Sequence, residues 1–400
     1  MDGIRSITHA DVRGKTVLVR ADLNVPVVDG LVSDMTRLER FAPTVKILTN
    51  RGARVLILSH FGRPDGKRVE KYSLRPVAGA LSDALGDPVH FIPDCDGPET
   101  AADCARVPMG EAAIIENVRF HPGEEANDPD FAARIAALGD LYVNDAFSCS
   151  HREHASFHAL AKLLPAYAGP SLMAEIEALS AALVIPQRPV AALVGGAKVS
   201  SKIAVLENLL NRVDVLIIGG GMANTFLLAL GHNTGKSLAE PAFTEKALQI
   251  VAAAKARQSS IVIPVDATLG AAFEAGARHW VENVNSLTGE GLILDIGPRS
   301  IADLSVRLAN CRTLLWNGPL GAFEIEPFGR GTFEVARAAA RLTRQGRLVT
   351  IAGGGDTVSA LNAAGVTEEF TYVSTAGGAF LEWLEGKDLP GVAVLKQSKT

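Results

Sequence analysis

Short aliphatic and β-branched runs recur along the whole chain, each ending in glycine or a polar cluster and each followed by helix-spaced apolar residues. In the first half they span 16–19, 54–58, 89–92, 113–115 and 141–143. In the second they span 190–194, 213–218, 261–265, 292–296, 313–316 and 348–352. The runs are near-continuous and do not alternate with polar residues. That pattern suits strands covered on both faces, which means parallel sheets between helices. Strands alternating with helices give an α/β class. The 400 residues exceed what one hydrophobic core usually organises, so two domains are expected.

Between the two sets lies a helical stretch. Leu172, Ile176, Leu179 and Leu183 fall at helical spacing, and Pro186 and Pro189 stop the pattern. Residues 172–186 therefore read as a helical connector between a domain over 1–171 and another over 187–385. The expected architecture is two doubly wound parallel-sheet lobes joined by a helical hinge.

Charge and cysteine narrow the partners. The net charge of −5 argues against a nucleic-acid binder, which needs a basic excess. The four cysteines form no CxxC pair and fit a reducing cytoplasm. The start shows no apolar signal region and the most apolar stretch, 215–230, is too short and too glycine-rich for a bilayer, so no membrane partner is expected.

Ligands of doubly wound sheets bind beyond the C-terminal ends of the strands, and the unusual residues of this chain lie there. The strand ends are followed by Arg20, Asp22 and Asn24, by His60 and Arg63, by Arg119 and His121, and by His151 and Arg152. One arginine at such a place is usually a salt bridge. Several together suggest a shared anion, because guanidinium forks bind phosphate and carboxylate bidentately. Ser33 or Asp34 can cap a helix carrying Leu38, Phe41, Val45 and Leu48, which puts Arg37 in the opening turns, where the dipole disfavours a cation. A solvated arginine and one sharing a bound phosphate both satisfy that placement. Pro43 should kink or restart this helix.

The second half repeats the design. Gly195-Gly196-Ala197-Lys198 and Lys202 join a strand to a helix, and Lys198 and Lys202 are spaced to share a face. Gly353 to Thr357 close the last long run. Asp356 there is either a helix cap or a carboxylate for Mg²⁺ beside a phosphate cradle. The His151, His154 and His158 cluster lacks ligand spacing for zinc. The segment around Gly231 to Ser237 imitates a Walker loop but has Leu230 where the first glycine belongs. No GxGxxG follows the first strand, which counts against a dinucleotide-dependent dehydrogenase. A two-lobed solute-binding protein would have no need of Asp356 beside a glycine triplet.

Taken together, the segments VRADLNVP (19–26), SHFGRPDG (59–66), ENVRFH (116–121), VNDAFSCSHREH (143–154), VGGAKVSSK (194–202), IIGGGMA (217–223), WNGPLGAFE (316–324), IAGGGDT (351–357) and VSTAGGAFLEWLEGK (373–387) resemble the phosphoglycerate kinase family, in order and over nearly the whole chain. The resemblance implies reversible phosphoryl transfer between 1,3-bisphosphoglycerate and ADP, giving 3-phosphoglycerate and ATP, with Mg²⁺, hinge closure and a cytoplasmic monomer. It assigns the triose acid to Asp22, Asn24, Arg37, His60, Arg63, Arg119 and Arg152. It assigns the nucleotide to Gly196, Lys202, Gly220, Asn317, Glu324, Gly354, Gly355, Asp356 and Thr357, with Asp356 on the metal. Arg37, Lys198, Lys202, Gly377 and Gly378 would meet the transferring group, and residues 386–400 would return to the first lobe. Phe61, Leu320, Ala376 and Ser148-Cys149-Ser150 depart from the family's usual residues. Ala376 replaces a glycine in a turn that could demand unusual backbone angles.

Overall fold

A computed structural model describes residues 3–396. By internal contacts the chain divides into a first unit, Met1–Ile176 with Asp388–Thr400, and a second, Glu177–Lys387.

The first unit holds a six-stranded parallel sheet in the spatial order Val89–Ile92, Ala112–Ile115, Arg54–Leu58, Thr16–Arg20, Leu141–Asn144 and Ala166–Ala168. The central strand Thr16–Arg20 is buried at every position, as its unbroken apolar run requires. The helix Thr36–Thr49 covers the sheet with Leu38, Phe41, Val45 and Leu48. Met35, not Ser33 or Asp34, is the cap and bonds through no side chain; Asp34 accepts the Thr36 N–H at 2.9 Å, and the helix runs through Pro43 without a restart. Asp388–Lys396 lies with this unit. Gly391 N–H donates to the Ser150 carbonyl at 2.9 Å, and Asn144 Nδ2 to the Gly391 carbonyl at 2.9 Å. The rest of the expected returning segment, 397–400, lies outside the described residues.

The second unit holds another six-stranded parallel sheet, ordered Ser260–Val262, Val215–Ile218, Val190–Val194, Thr313–Asn317, Val349–Gly353 and Tyr372–Ser374. By chain order this is 3-2-1-4-5-6, the doubly wound arrangement whose crevice opens between strands 1 and 4. One expectation is corrected here. Leu292–Ile296 is not a strand of the parallel sheet but pairs antiparallel with Asp266–Gly270, which also pairs antiparallel with His279–Asn283. Its first three residues are only half-buried, so an unbroken apolar run did not mean two covered faces. The edge strands Ala166–Ala168 and Tyr372–Ser374 carry too short a pattern to be read from sequence.

The helix between the two sets spans Pro170–Leu183, with Leu172, Ile176, Leu179 and Leu183 buried. The division between units falls inside it, at Ile176 and Glu177.

Candidate active site

In the first unit the strand ends gather cations around one imidazole. Arg20, the last residue of the central strand, is buried, and its Nη2 lies 3.2 Å from His60 Nδ1. Guanidinium nitrogens only donate, so His60 Nδ1 accepts and the ring proton sits on Nε2. Burial, then Arg20, Arg119, Arg152 and Arg37, hold His60 well below the usual imidazole range, so it is neutral at pH 7. Arg119 donates to the Gly62 carbonyl at 2.8 Å and stands 2.9 Å from Glu125, with its guanidinium pKa lowered by burial and then by Arg152. Burial, with Arg119 and Arg152 adding to it, pushes His154 down to about 4.

Asp22, Asn24 and Arg37 form the other half. Arg37 Nη1 donates to Asp22 Oδ2 at 3.0 Å and to the Asn24 carbonyl at 2.8 Å. Asn24 Oδ1 accepts the Gly62 N–H at 2.9 Å, tying two strand ends together. Thus Asp22, Asn24, Arg37, His60, Arg119 and Arg152 share one neighbourhood. Arg63 stands apart: it is exposed and forms no ion pair among the described residues. Arg20 is named among the strand-end cations by the sequence but receives no ligand role from it. It stands in the same motif as Asp22, but its burial beside His60 is visible only in the fold. It donates to Ser156 Oγ at 2.8 Å, and that hydroxyl donates to buried Glu124 at 2.6 Å, which balances the charge through one relay.

Helix starts and glycine build the second site. A cavity of about 390 Å³ is lined by Gly196, Lys198, Lys202, Asn317, Gly354, Gly355, Asp356, Thr357 and Gly377, among others. Lys202 Nζ donates to Asn317 Oδ1, and Asn317 Nδ2 to the Gly353 carbonyl at 2.7 Å. Burial lowers the Lys202 pKa, while Asp356 and then Glu385 raise it. Gly354 has φ 102°, and a Cβ there would stand 2.7 Å from Asn317 Nδ2. It caps the helix Gly355–Ala364, so Asp356 is not the cap. Asp356 is exposed in the first turn and makes no hydrogen bond among the described residues. Thr357 has its hydroxyl committed, donating to the Gly353 carbonyl at 2.9 Å and accepting the Gly318 N–H at 2.7 Å. Lys198 is exposed and precedes the short turn Val199–Ser201, outside the helix Ile203–Leu209; it meets Lys202 at the cavity and not on a helix face. Ala376 caps Gly377–Leu384 at φ −93°, a value open to any L-residue, so the lost glycine costs no backbone strain. Gly377 and Gly378 open that helix, exposed.

A neighbouring cavity of about 530 Å³ holds Gly196, Gly220, Ala223, Leu227, Leu238, Leu294, Leu320, Asp295 and Glu324 on its walls. It is mostly apolar with a few polar groups, as suits a flat heterocycle and its sugar. Leu294 and Asp295 come from the antiparallel sheet, and no motif announced them.

Two groups of mixed metal-ligand type occur among the described residues, Asp22–His60–Cys149 and Asp94–Cys95–His121. In the first the donors face guanidinium groups. In the second His121 and Asp94 already close on each other at 2.7 Å.

A sequence model of the phosphoglycerate kinase family matches residues 7–387. The chain belongs to that family. A phosphoglycerate kinase of Sinorhizobium medicae is 55% identical over 389 residues, 97% of this chain and 98% of the relative. Another, of Methylorubrum extorquens, is 55% identical over 99% of both chains. The solved structure of phosphoglycerate kinase from Coxiella burnetii superposes with a TM-score of 0.92 at 43% identity, covering 98% of each chain. The crystal structure of the Pyrococcus horikoshii enzyme gives 0.79 at 30% identity, again over 98% of each. The chain is therefore a phosphotransferase, a kinase with a carboxyl group as acceptor, on a two-lobed α/β fold.

Proposed function

We propose that the first unit binds 3-phosphoglycerate or 1,3-bisphosphoglycerate and the second binds ATP or ADP, with the groups described above as their ligands. The observation that supports this most is the gathering of Arg20, Arg37, Arg119 and Arg152 about a neutral His60. Asp22, Glu125 and, through Ser156, Glu124 meet three of the four guanidinium groups, and the positive charge left over favours a small anion.

In this reading Arg119, Arg152, His60 Nε2–H and Arg63 hold the phosphate that stays, while Asp22 and Asn24 orient the glycerate. Arg37 leaves Asp22 to face the phosphoryl group in transfer. Lys198, Lys202 and the N–H groups at Gly377 and Gly378 face that group from the nucleotide side. The apolar cavity takes the base, and Glu324 takes the ribose hydroxyls. An acyl phosphate is already a reactive donor, so alignment and positive charge on the equatorial oxygens carry the catalysis. Transfer then requires the two substrates to be brought into line with water excluded.

Asp356 fits a magnesium ligand. It is an exposed carboxylate whose side chain makes no hydrogen bond or ion pair among the described residues, though Lys202 feels its charge; it lies beside N–H groups that suit phosphate oxygens, and Mg²⁺ commonly takes one carboxylate with substrate phosphates and water. The bound ion would neutralise charge on the nucleotide phosphates. A monomer in the cytoplasm belongs to the same proposal, and the four cysteines are free thiols, as a reducing compartment keeps them.

The test is to mix the protein with MgATP and 3-phosphoglycerate and to follow ADP with an acyl-phosphate trap. Steady, trap-dependent ADP formation is expected; none would discard the reading. Asp356→Asn should raise the Mg²⁺ concentration for half-maximal rate by roughly tenfold, the loss of one charged ligand contact.

A further inference from the structure

The turn Phe147–Cys149 follows the strand Leu141–Asn144 and brings a hydroxyl onto Asp22. Ser148 Oγ donates to Asp22 Oδ2 at 2.5 Å, within the range of a charge-assisted O–H···O⁻ bond. The same oxygen accepts Arg37 Nη1 at 3.0 Å, and the other, Oδ1, accepts the Asn24 N–H at 3.2 Å. Asp22 is mostly covered, its side chain 13% exposed against 37% for Arg37.

These partners differ in stiffness. Arg37 reaches Asp22 through a long side chain with many rotamers. Ser148 reaches it through one side-chain torsion from a turn that is itself pinned. The Ser150 N–H donates to the Phe147 carbonyl at 2.9 Å, Ser150 Oγ to the Ala146 carbonyl at 3.0 Å, and Asn144 Nδ2 to Ser150 Oγ at 3.1 Å. They also differ in availability. If Arg37 turns to a phosphoryl group, Asp22 Oδ2 loses that donor, and a half-buried carboxylate oxygen without one is costly. Ser148 is placed to keep the oxygen satisfied while Arg37 is away.

We propose that Ser148 is a positioning residue for the triose acid: it fixes the Asp22 carboxylate in the orientation that receives the glycerate and frees Arg37 for the transferring group. The inference rests on the assignment of Asp22 to the triose acid made above.

Ser148→Ala and Ser148→Thr separate this from a packing role. Ser148→Ala should raise KM and Kd for 3-phosphoglycerate by roughly tenfold, the loss of one hydrogen bond to a charged group. KM for MgATP and the thermal midpoint should stay at their wild-type values. Ser148→Thr, which keeps the hydroxyl, should restore most of the triose affinity. On an Asp22→Ala background, Ser148→Ala should add nothing to Kd. An unchanged Kd in Ser148→Ala overturns the inference, and so does an equal penalty with Asp22 already removed, because Ser148 would then not act through it. A normal Kd in Asp22→Ala overturns the assignment of Asp22 and the inference with it. An inactive wild-type protein brings down the kinase reading itself.

Discussion

The two proposed anion sites, one in each unit, are built from different material. In the first, fifteen residues, among them the paired short strands Val27–Val28 and Leu31–Val32, separate the strand Thr16–Arg20 from the helix Thr36–Thr49. The helix does not start directly on that strand end, and side chains carry the charge: four guanidinium groups around one neutral imidazole. In the second, Gly354 alone separates the strand Val349–Gly353 from the helix Gly355–Ala364. Backbone N–H groups therefore reach the cavity directly, and two lysines suffice beside them. A compact acid with two charged ends asks for planar forks at set angles. A chain of nucleotide phosphates can lie along glycine and a helix start. The strand order follows the same divide, since only the second unit has the 3-2-1-4-5-6 order of nucleotide-binding sheets.

The comparison is broken most severely by filling the glycine seam of the second unit. A Cβ on Gly195 would stand 1.9 Å from the Pro319 carbonyl oxygen, backbone that cannot swing aside. Gly195→Ala should cost about 3 kcal/mol or more and part the crevice between Val190–Val194 and Thr313–Asn317. Thermal unfolding should show a lowered midpoint, and titration with MgADP should show little or no binding. Triose binding by the first unit should survive at temperatures where the variant is folded; equal loss of both ligands would refute the division of labour.

Arg37→Ala tests the side-chain half. Removing a preorganised cation from the transferring group should lower kcat by about a hundredfold or more. Nucleotide affinity should be unchanged in the same preparation. A near-normal kcat would withdraw Arg37 from the chemistry and leave it as the partner of Asp22 alone.

Buried titratable groups should pull the units apart as pH falls. His60 and His154 have folded pKa values below the unfolded one, so their contribution is present above about pH 6.5 and is lost as pH falls toward those values. Burial pushes Asp145, in the first unit, up to about 6, and Asp295, in the second, up to about 7. For these the sign is opposite: the folded acid binds protons more tightly than the unfolded one, so their contribution is lost as pH rises through the folded pKa. Between pH 7 and 5 the two histidines outweigh Asp145 in the first unit, while Asp295 gains in the second. Each pKa unit is worth about 1.4 kcal/mol, so the units should diverge by roughly 2 kcal/mol or more. Amide exchange at pH 5 should release the strands Thr16–Arg20 and Arg54–Leu58 before Val190–Val194 and Thr313–Asn317. Asp295→Asn should flatten the response of the second unit; protection lost in the opposite order would reverse the assignment.

Sequence reading reached the strand ends because the candidate residues there sit in short contiguous motifs. Arg119, Asp356 and Lys202 each stand within a few residues of the run that places them. What stayed hidden is long-range. Arg20 is an ordinary motif arginine until Ser156 and Glu124, more than a hundred residues on, enclose it. Leu292–Ile296 carries the apolar run of a buried parallel strand, yet the strand it pairs with is antiparallel and its first three residues are half-buried. Thr357 reads as a phosphate ligand, and its hydroxyl also bonds two backbone groups, the Gly353 carbonyl and the Gly318 N–H, that no local pattern predicts. The worry over Ala376 was local too, and only the observed φ removes it.

The smallest effect belongs to Arg63, the proposed triose ligand that stands exposed outside the guanidinium cluster. A long exposed side chain loses rotamer entropy when it closes on a ligand, and solvent screens its charge, so its net contribution falls well below that of a buried fork. Arg63→Ala should raise KM for 3-phosphoglycerate by several-fold, about 1 kcal/mol, with kcat nearly intact. Arg119→Ala, which strips a buried guanidinium from the same pocket, should exceed it clearly. Equal losses would mean that Arg63 folds into the cluster when the acid binds, and that the first unit completes its site only around its ligand. An unchanged KM would leave the phosphate to Arg119, Arg152 and His60 alone.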